Sequence, residues 1–376
     1  MLQMIKQDAV TTETIGSPTA YKRRVIALET NLLLRNYTPK SQLIVERQFV
    51  SAPRFPVVDA HTHFGPMAFG KDYQEAYQLE SAVAEFRAMG VKHVINADTI
   101  WGEPLQRLLE FLQPYPEFFT TFGSTDTSQL DHPEFERMTL RTLREGSAMG
   151  MRGLKFWKNI SLGQKDLQGK FIAIDDQRLS PIWNGAAELN LPVLIHIGDP
   201  AAFFEPTDPC NERYEELQNH PDWSFAHAAF FSFSELMDQQ ERLIATNPQT
   251  TFIVAHMGSY GENLGRVSEW LSRYPNMYVD LAARINELGR QPYTARTFFE
   301  KHQDRILFAT DAAPGHLDHL HYYEFLETWN EFIPYSSAAV PGQGRWQIYG
   351  IGLSEDILRK VYYQNAETLL ANGKFS

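Results

Sequence analysis

The sequence predicts a single (β/α)8 barrel over residues 51–376, preceded by an N-terminal extension over residues 1–50. Two observations point to this class. From Phe55 onward short apolar segments of strand length alternate with amphipathic stretches of helical length, and eight such units follow one another. Alternation of this kind builds a parallel sheet covered by helices. No glycine-rich dinucleotide fingerprint opens any of the helical stretches, which turns eight consecutive units toward a closed barrel and away from an open doubly wound sheet.

In chain order, residues 1–20 are polar and expected to fray. They are followed by a helix-like stretch, YKRRVIALETNLLLRN (21–36), and a strand-like one, SQLIVERQFV (41–50), read together as an extension across the outside of the barrel. The eight strands are expected at FPVVDA (55–60), VKHVINA (91–97), FTTFGS (119–124), MRGLKFW (151–157), LPVLIHI (191–197), TFIVAHM (251–257), NMYVDLA (276–282) and DRILFATD (304–311). Helices are expected after them at 74–90, 103–113, 134–150, 178–190, 232–247, 262–274, 293–302 and 354–371. Two connections, 198–231 after strand five and 312–353 after strand eight, far exceed the usual length of a strand-to-helix turn. Both leave strand C-termini, where barrel active sites are built, so they are expected to act as lids or binding loops.

Composition narrows the function. A chain of 376 residues that is 43% hydrophobic buries a large core without disulfides, and its one cysteine, Cys210, excludes both a disulfide framework and a cysteine-ligated metal. A net charge of −12 argues against nucleic acid or an anionic membrane as the partner and leaves a small molecule, with a homo-oligomer open. There is no apolar run of membrane-spanning length and no secretory signal pattern, so the expected compartment is the cytoplasm.

The chemistry concentrates at strand ends. In VVDAHTHFG, His61 and His63 stand two apart on an extended strand and can both face the barrel mouth, a donor pair suited to a cation such as zinc. His196 ends strand five in PVLIHIGD, His256 ends strand six in FIVAHMGS, and Asp311 ends strand eight in ILFATD. A barrel gathers those ends around one axis, and a carboxylate at the end of an apolar strand is costly unless it is paired or metal-bound. Lys155 ends strand four in RGLKFW, and Arg284 follows strand seven in VDLAAR. Arg284 could clamp a substrate carboxylate or pair with Asp280 or Glu287. On the same rim Lys158, Asp199, His227 and His316 read singly as solvated loop residues. The aromatic residues Phe203, Phe204, Trp223, Phe225, Phe230, Phe231 and Phe233 read either as a substrate wall or as loop packing.

This strand-ordered set resembles the amidohydrolase superfamily of TIM-barrel metalloenzymes. It is more narrowly similar to the amidohydrolase-related branch that includes aminocarboxymuconate-semialdehyde decarboxylase and pyrone dicarboxylate lactonase, whose tyrosine-rich last helix VYYQNAETLL (361–370) resembles. The resemblance implies one divalent metal, zinc on its donor types, ligated by His61, His63, His196 and Asp311. It implies His256 beside the metal as an acid–base group, with Asp311 serving both as ligand and as proton acceptor. Lys155 would bind substrate, pair with a carboxylate such as Asp98 or Asp126, or, as in other amidohydrolases, be carboxylated and bridge two metals. The expected activity is hydrolysis of a lactone, ester or amide of a small carboxylated substrate. The alternatives are a metal-dependent non-oxidative decarboxylase and a non-catalytic, metal-stabilised binding barrel.

Overall fold

The computed structural model describes residues 31–227, 229–336, 338 and 340–372. Eight parallel strands follow sequence order: β1 Val57–Thr62, β2 Val91–Ala97, β3 Phe119–Gly123, β4 Gly153–Phe156, β5 Val193–Ile195, β6 Phe252–Val254, β7 Met277–Asp280 and β8 Ile306–Leu307. The exit of β8 returns to β1: the N–H of Ala60 bonds the carbonyl of Phe308 at 2.9 Å, and Thr62 bridges Ala312 in parallel, so the sheet closes. The (β/α)8 expectation is met.

Side-chain alternation explains the closure. Val58, Ile95, Phe122, Leu194, Ile253 and Leu307 fill the barrel interior, while their neighbours Val57, Val193, Ile195, Phe252 and Val254 pack outward against the helices. Gly153 is required at its position, because a Cβ there would lie 2.4 Å from the Phe122 ring that plugs the interior. Main covering helices span Leu79–Ala88, Gly102–Leu112, Phe135–Met149, Ser180–Glu188, Phe233–Thr246, Leu264–Arg273 and Pro292–His302. A capping box opens the helix at Phe233: Ser232 Oγ accepts the Glu235 N–H, and the Glu235 carboxylate accepts the Ser232 N–H. The last helix starts at Glu355 and ends at Asn372, passing through a π-helical segment at Lys360–Gln364 that the sequence did not announce.

The strand expected at 41–50 does not form. Residues 43–50 run without a ladder partner, and Ile44 and Phe49 face solvent. The segment is pinned by side chains instead: Arg47 to Glu324 at 2.5 Å, and the Gln48 backbone to Asn330 in both directions at 2.8 Å. The compact barrel unit begins at Leu43. Of the helix-like stretch 21–36, residues 21–30 lie outside the described residues, as does the polar segment 1–20; Leu34–Asn36 is a single 3-10 turn. No helix among the described residues is long and apolar enough to cross a membrane.

The loops above the rim are tied to one another by charge. Arg345, after β8, holds Glu215, after β5, through two bonds of 2.6 and 2.8 Å. Arg290, after β7, holds Glu212 at 2.8 and 2.9 Å. Below these partly exposed pairs, buried Arg213 bonds Glu216 at 2.9 Å and also Glu287, and Asn286 bonds Gln343.

Candidate metal centre

Above the barrel's C-terminal rim lies a cavity of about 430 Å³, and His61, His63, Lys155, His196, His256, Arg284 and Asp311 all line it. The two long loops complete it: Phe203, Arg213, Glu216 and Trp223 come from the loop after β5, and Ala313 and Gln343 from the loop after β8.

The pairing of β1 with β2 is irregular between Asp59 and Thr62, and His61 within this break and His63 just past it both reach the cavity. Their donor atoms and the Asp311 carboxylate lie within 4.8 Å of one another. His63 Nε2 is 2.9 Å and His61 Nε2 3.5 Å from Asp311 Oδ1. Asp311 sits outside the β8 ladder with φ +66°, a left-handed conformation that non-glycine residues rarely adopt. It is held there on both sides, since its N–H bonds the His61 carbonyl at 2.9 Å and Asp59 accepts the N–H and hydroxyl of Thr310. Burial would raise the Asp311 carboxyl, but His61 and His63 hold it well below the usual carboxylate range.

His196 stands apart from this triad. Its Nδ1 lies 3.2 Å from His256 Nε2, and its Nε2 lies 3.2 Å from Asp199 Oδ1. Burial pushes its pKa down to about 4. Asp199 also pairs with Lys158, and despite burial these two partners keep it ionised. Both residues, read from sequence as solvated, therefore belong to the cavity wall.

His256 departs from the expected strand end. β6 stops at Val254, and His256, Met257, Gly258 and Ser259 all have φ between +55° and +71°, a short left-handed turn. The His256 ring donates from Nδ1 to the carbonyl of Ala282 at 2.9 Å, which leaves the lone pair on Nε2, 3.2 Å from His196 Nδ1. Burial first, then His196 and Arg284, hold its pKa well below the ordinary histidine value.

Lys155 is wholly buried, with Nζ 2.7 Å from His61 Nε2; burial lowers it to about 8, against the pull of Asp311, Asp280 and Asp98. It does not pair with Asp98 or Asp126 as the sequence reading allowed. Asp98 accepts the Met67 N–H and Asp126 that of Ser128. Arg284 pairs with neither Asp280 nor Glu287: among the described residues it forms no ion pair, and its hydrogen bond runs from Nη1 to the Ala283 carbonyl at 2.9 Å. Of the seven aromatic residues only Phe203 and Trp223 line the cavity, joined by Trp157. Phe204, Phe225, Phe230, Phe231 and Phe233 pack on the core, and His227 and His316 lie away from the cavity lining.

Protonation of these rings couples to stability. Burial depresses His61, His196 and His256, so below about pH 6.5 the unfolded chain binds protons that the folded rings refuse. Stability of the metal-free protein therefore rises with pH across that window and is lost on acidification. His196 alone is expected to remove about 3 kcal/mol between pH 6.5 and 4. Urea midpoints of metal-free protein that stay level over this range would contradict it.

An eight-stranded barrel with imidazole and carboxylate donors converging at its C-terminal rim defines a TIM-barrel protein with a metal-type site. Residues 58–371 match the amidohydrolase family, and the chain belongs to it. No curated protein matches the sequence. Solved structures are similar at low identity. An uncharacterised TIM-barrel protein from Bordetella bronchiseptica has a TM-score of 0.55 and 14% identity, over 85% of this chain and 99% of that one. A dihydroxybenzoic acid decarboxylase from a Polaromonas species, solved with manganese and 2-nitroresorcinol, has a TM-score of 0.55 and 16% identity, over 86% and 100%. A 2,6-dihydroxybenzoate decarboxylase solved with 2,6-dihydroxybenzoate has a TM-score of 0.52 and 18% identity, over 84% and 99%. At these identities the likeness speaks for the fold.

Proposed function

We propose that the protein is a metal-dependent, non-oxidative decarboxylase of a hydroxylated aromatic acid. The observation that carries this reading is the cavity itself, where the unpaired guanidinium of Arg284 and the flat walls of Trp157, Phe203 and Trp223 face the His61–His63–Asp311 cluster. A planar, anionic substrate matches that lining. The two solved decarboxylases of the same fold, both named for dihydroxybenzoates, favour decarboxylation over the hydrolysis expected from sequence.

The donor set fits one divalent cation: two imidazole nitrogens and a carboxylate converge, and His196, whose ring contacts Asp199 and His256 in this structure, would have to leave Asp199 to serve as a fourth ligand. These donor types suit zinc, while the Polaromonas structure holds manganese. When bound, the cation supplies a Lewis acid for the substrate's carboxylate and neighbouring hydroxyl. Lys155 acts as an uncarboxylated amine beside it, and Arg284 orients the ring through its anionic substituent. His256 Nε2 takes the hydroxyl proton and delivers it to the ring carbon bearing the carboxylate. The bond to the carboxyl carbon then breaks, its electron pair restores the aromatic ring, carbon dioxide leaves, and the phenolate regains a proton from water.

Hydrolysis is the second reading, favoured by the same neutral His256, which can equally deprotonate a water for attack on a lactone, ester or amide carbonyl. Metal-loaded protein offered ortho-hydroxybenzoates alongside lactones and aryl esters should release carbon dioxide. Acid release without carbon dioxide would transfer the assignment to hydrolysis. Arg284→Ala should raise KM for a carboxylated substrate by roughly 10–100-fold, the worth of hydrogen bonds to a charged group, with a smaller change in kcat. An unchanged KM would remove the guanidinium from substrate binding.

A further inference from the structure

Asp280, at the end of β7, lies outside every role assigned so far, yet three functional groups end on it. It is fully buried. Its Oδ2 accepts from the ring Nδ1 of His61 at 3.0 Å. Its Oδ1 accepts the backbone N–H of His256 at 2.7 Å and that of Ala282 at 3.1 Å. The Ala282 carbonyl in turn receives the His256 ring proton.

We infer that Asp280 is a positioning residue that sets the tautomers of His61 and His256 together. A carboxylate accepts and cannot donate, so its contact with His61 requires the proton on Nδ1 and leaves the Nε2 lone pair for the rim. The far side of the ring agrees, because the buried Lys155 amine approaches that same Nε2. For His256 the action is indirect. By accepting the Ala282 N–H, Asp280 fixes the peptide that follows β7, and the carbonyl of Ala282 then takes the Nδ1 proton. By accepting the His256 N–H it also seats the left-handed backbone from which that ring projects. One carboxylate thus presents a lone pair from two rings, one on β1 and one in the turn after β6, to the same cavity.

The tautomer arm of this inference is independent of the reaction catalysed, and the metal arm rests only on the proposed cation site. The first measurement uses the unaltered, metal-free chain. Imidazole 15N–1H correlation spectra should show His61 and His256 both carrying the proton on Nδ1. An Nε2-protonated form of either ring would overturn the inference. The second uses Asp280→Asn, whose amide can turn an N–H toward His61 Nδ1 and drive the ring proton to Nε2. Metal affinity, read by competition with a chromophoric chelator for zinc or manganese, should fall by roughly 10–100-fold in the folded fraction, and the His61 tautomer pattern should change. A variant that merely loses thermal stability, with the affinity and tautomers of its folded fraction intact, would reduce Asp280 to a structural residue. Whether the metal-loaded protein releases carbon dioxide or hydrolyses an ester touches neither readout.

Discussion

His63→Ala is expected to strip the protein of its divalent cation and remove essentially all activity while the barrel stays folded. His63 contributes Nε2 to the only cluster of potential metal donors found among the described residues, 2.9 Å from Asp311 Oδ1. Loss of a direct ligand should weaken binding by more than the roughly 10–100-fold typical of an outer partner. His61→Ala should have the same effect on the metal at a greater cost to the fold. It leaves an oxygen of buried Asp280 without its ring donor, a penalty of about 1–3 kcal/mol, and strands the Lys155 amine. His63 is the cleaner test, since its Nδ1 has no hydrogen-bond partner to lose. Elemental analysis of purified, refolding-competent His63→Ala is the check; full metal occupancy would show that the histidine pair is not a ligand pair.

His256→Asn should keep the metal and lower the rate by roughly 10²–10⁴, the usual contribution of a positioned acid or base. Asparagine is the substitution of choice because it tolerates the left-handed backbone that His256 occupies, φ +58°, better than alanine does. The variant therefore removes the Nε2 base without adding backbone strain. Metal loss in this variant would make His256 a direct ligand. That result would favour a two-metal arrangement bridged by a carboxylated Lys155, and with it the hydrolytic reading.

The barrel was legible because its signal is repeated: eight apolar segments in register with eight helical stretches leave little room for another topology. The donors were legible because histidine and aspartate at the ends of apolar segments are physically expensive and so stand out. What escaped the sequence is conformational or relational. Nothing in FIVAHMGS signals that the strand ends at Val254 and the chain turns left-handed, since the driving contact, Asp280, lies 24 residues away. Asp59, Asp280 and Asp311 all follow apolar runs in the sequence, but only three-dimensional neighbours distinguish an acceptor for N–H groups from a metal donor. At 41–50 an apolar, β-prone composition carried no information about a missing ladder partner. The long loops were recognisable by length, whereas which of their aromatic residues face the cavity depended on the fold of the loop itself.

The charge ties among the rim loops determine how the cavity can open. Arg345–Glu215, Arg290–Glu212 and Arg213–Glu287 bind the segments after β5, β7 and β8 to one another, so none of them swings without breaking ties to the others. A single network of ion pairs thus spans the three segments, in place of separate contacts to one flap. Its outer pairs are partly exposed and screened by salt, while its inner pair is not. If the proposed activity is limited by release, its rate should quicken as ionic strength rises, until the buried Arg213 contact alone sets the pace. The cluster of His61, His63 and Asp311 takes no part in these ties. Change confined to the ties can thus retune which molecules enter without altering the atoms that act on them.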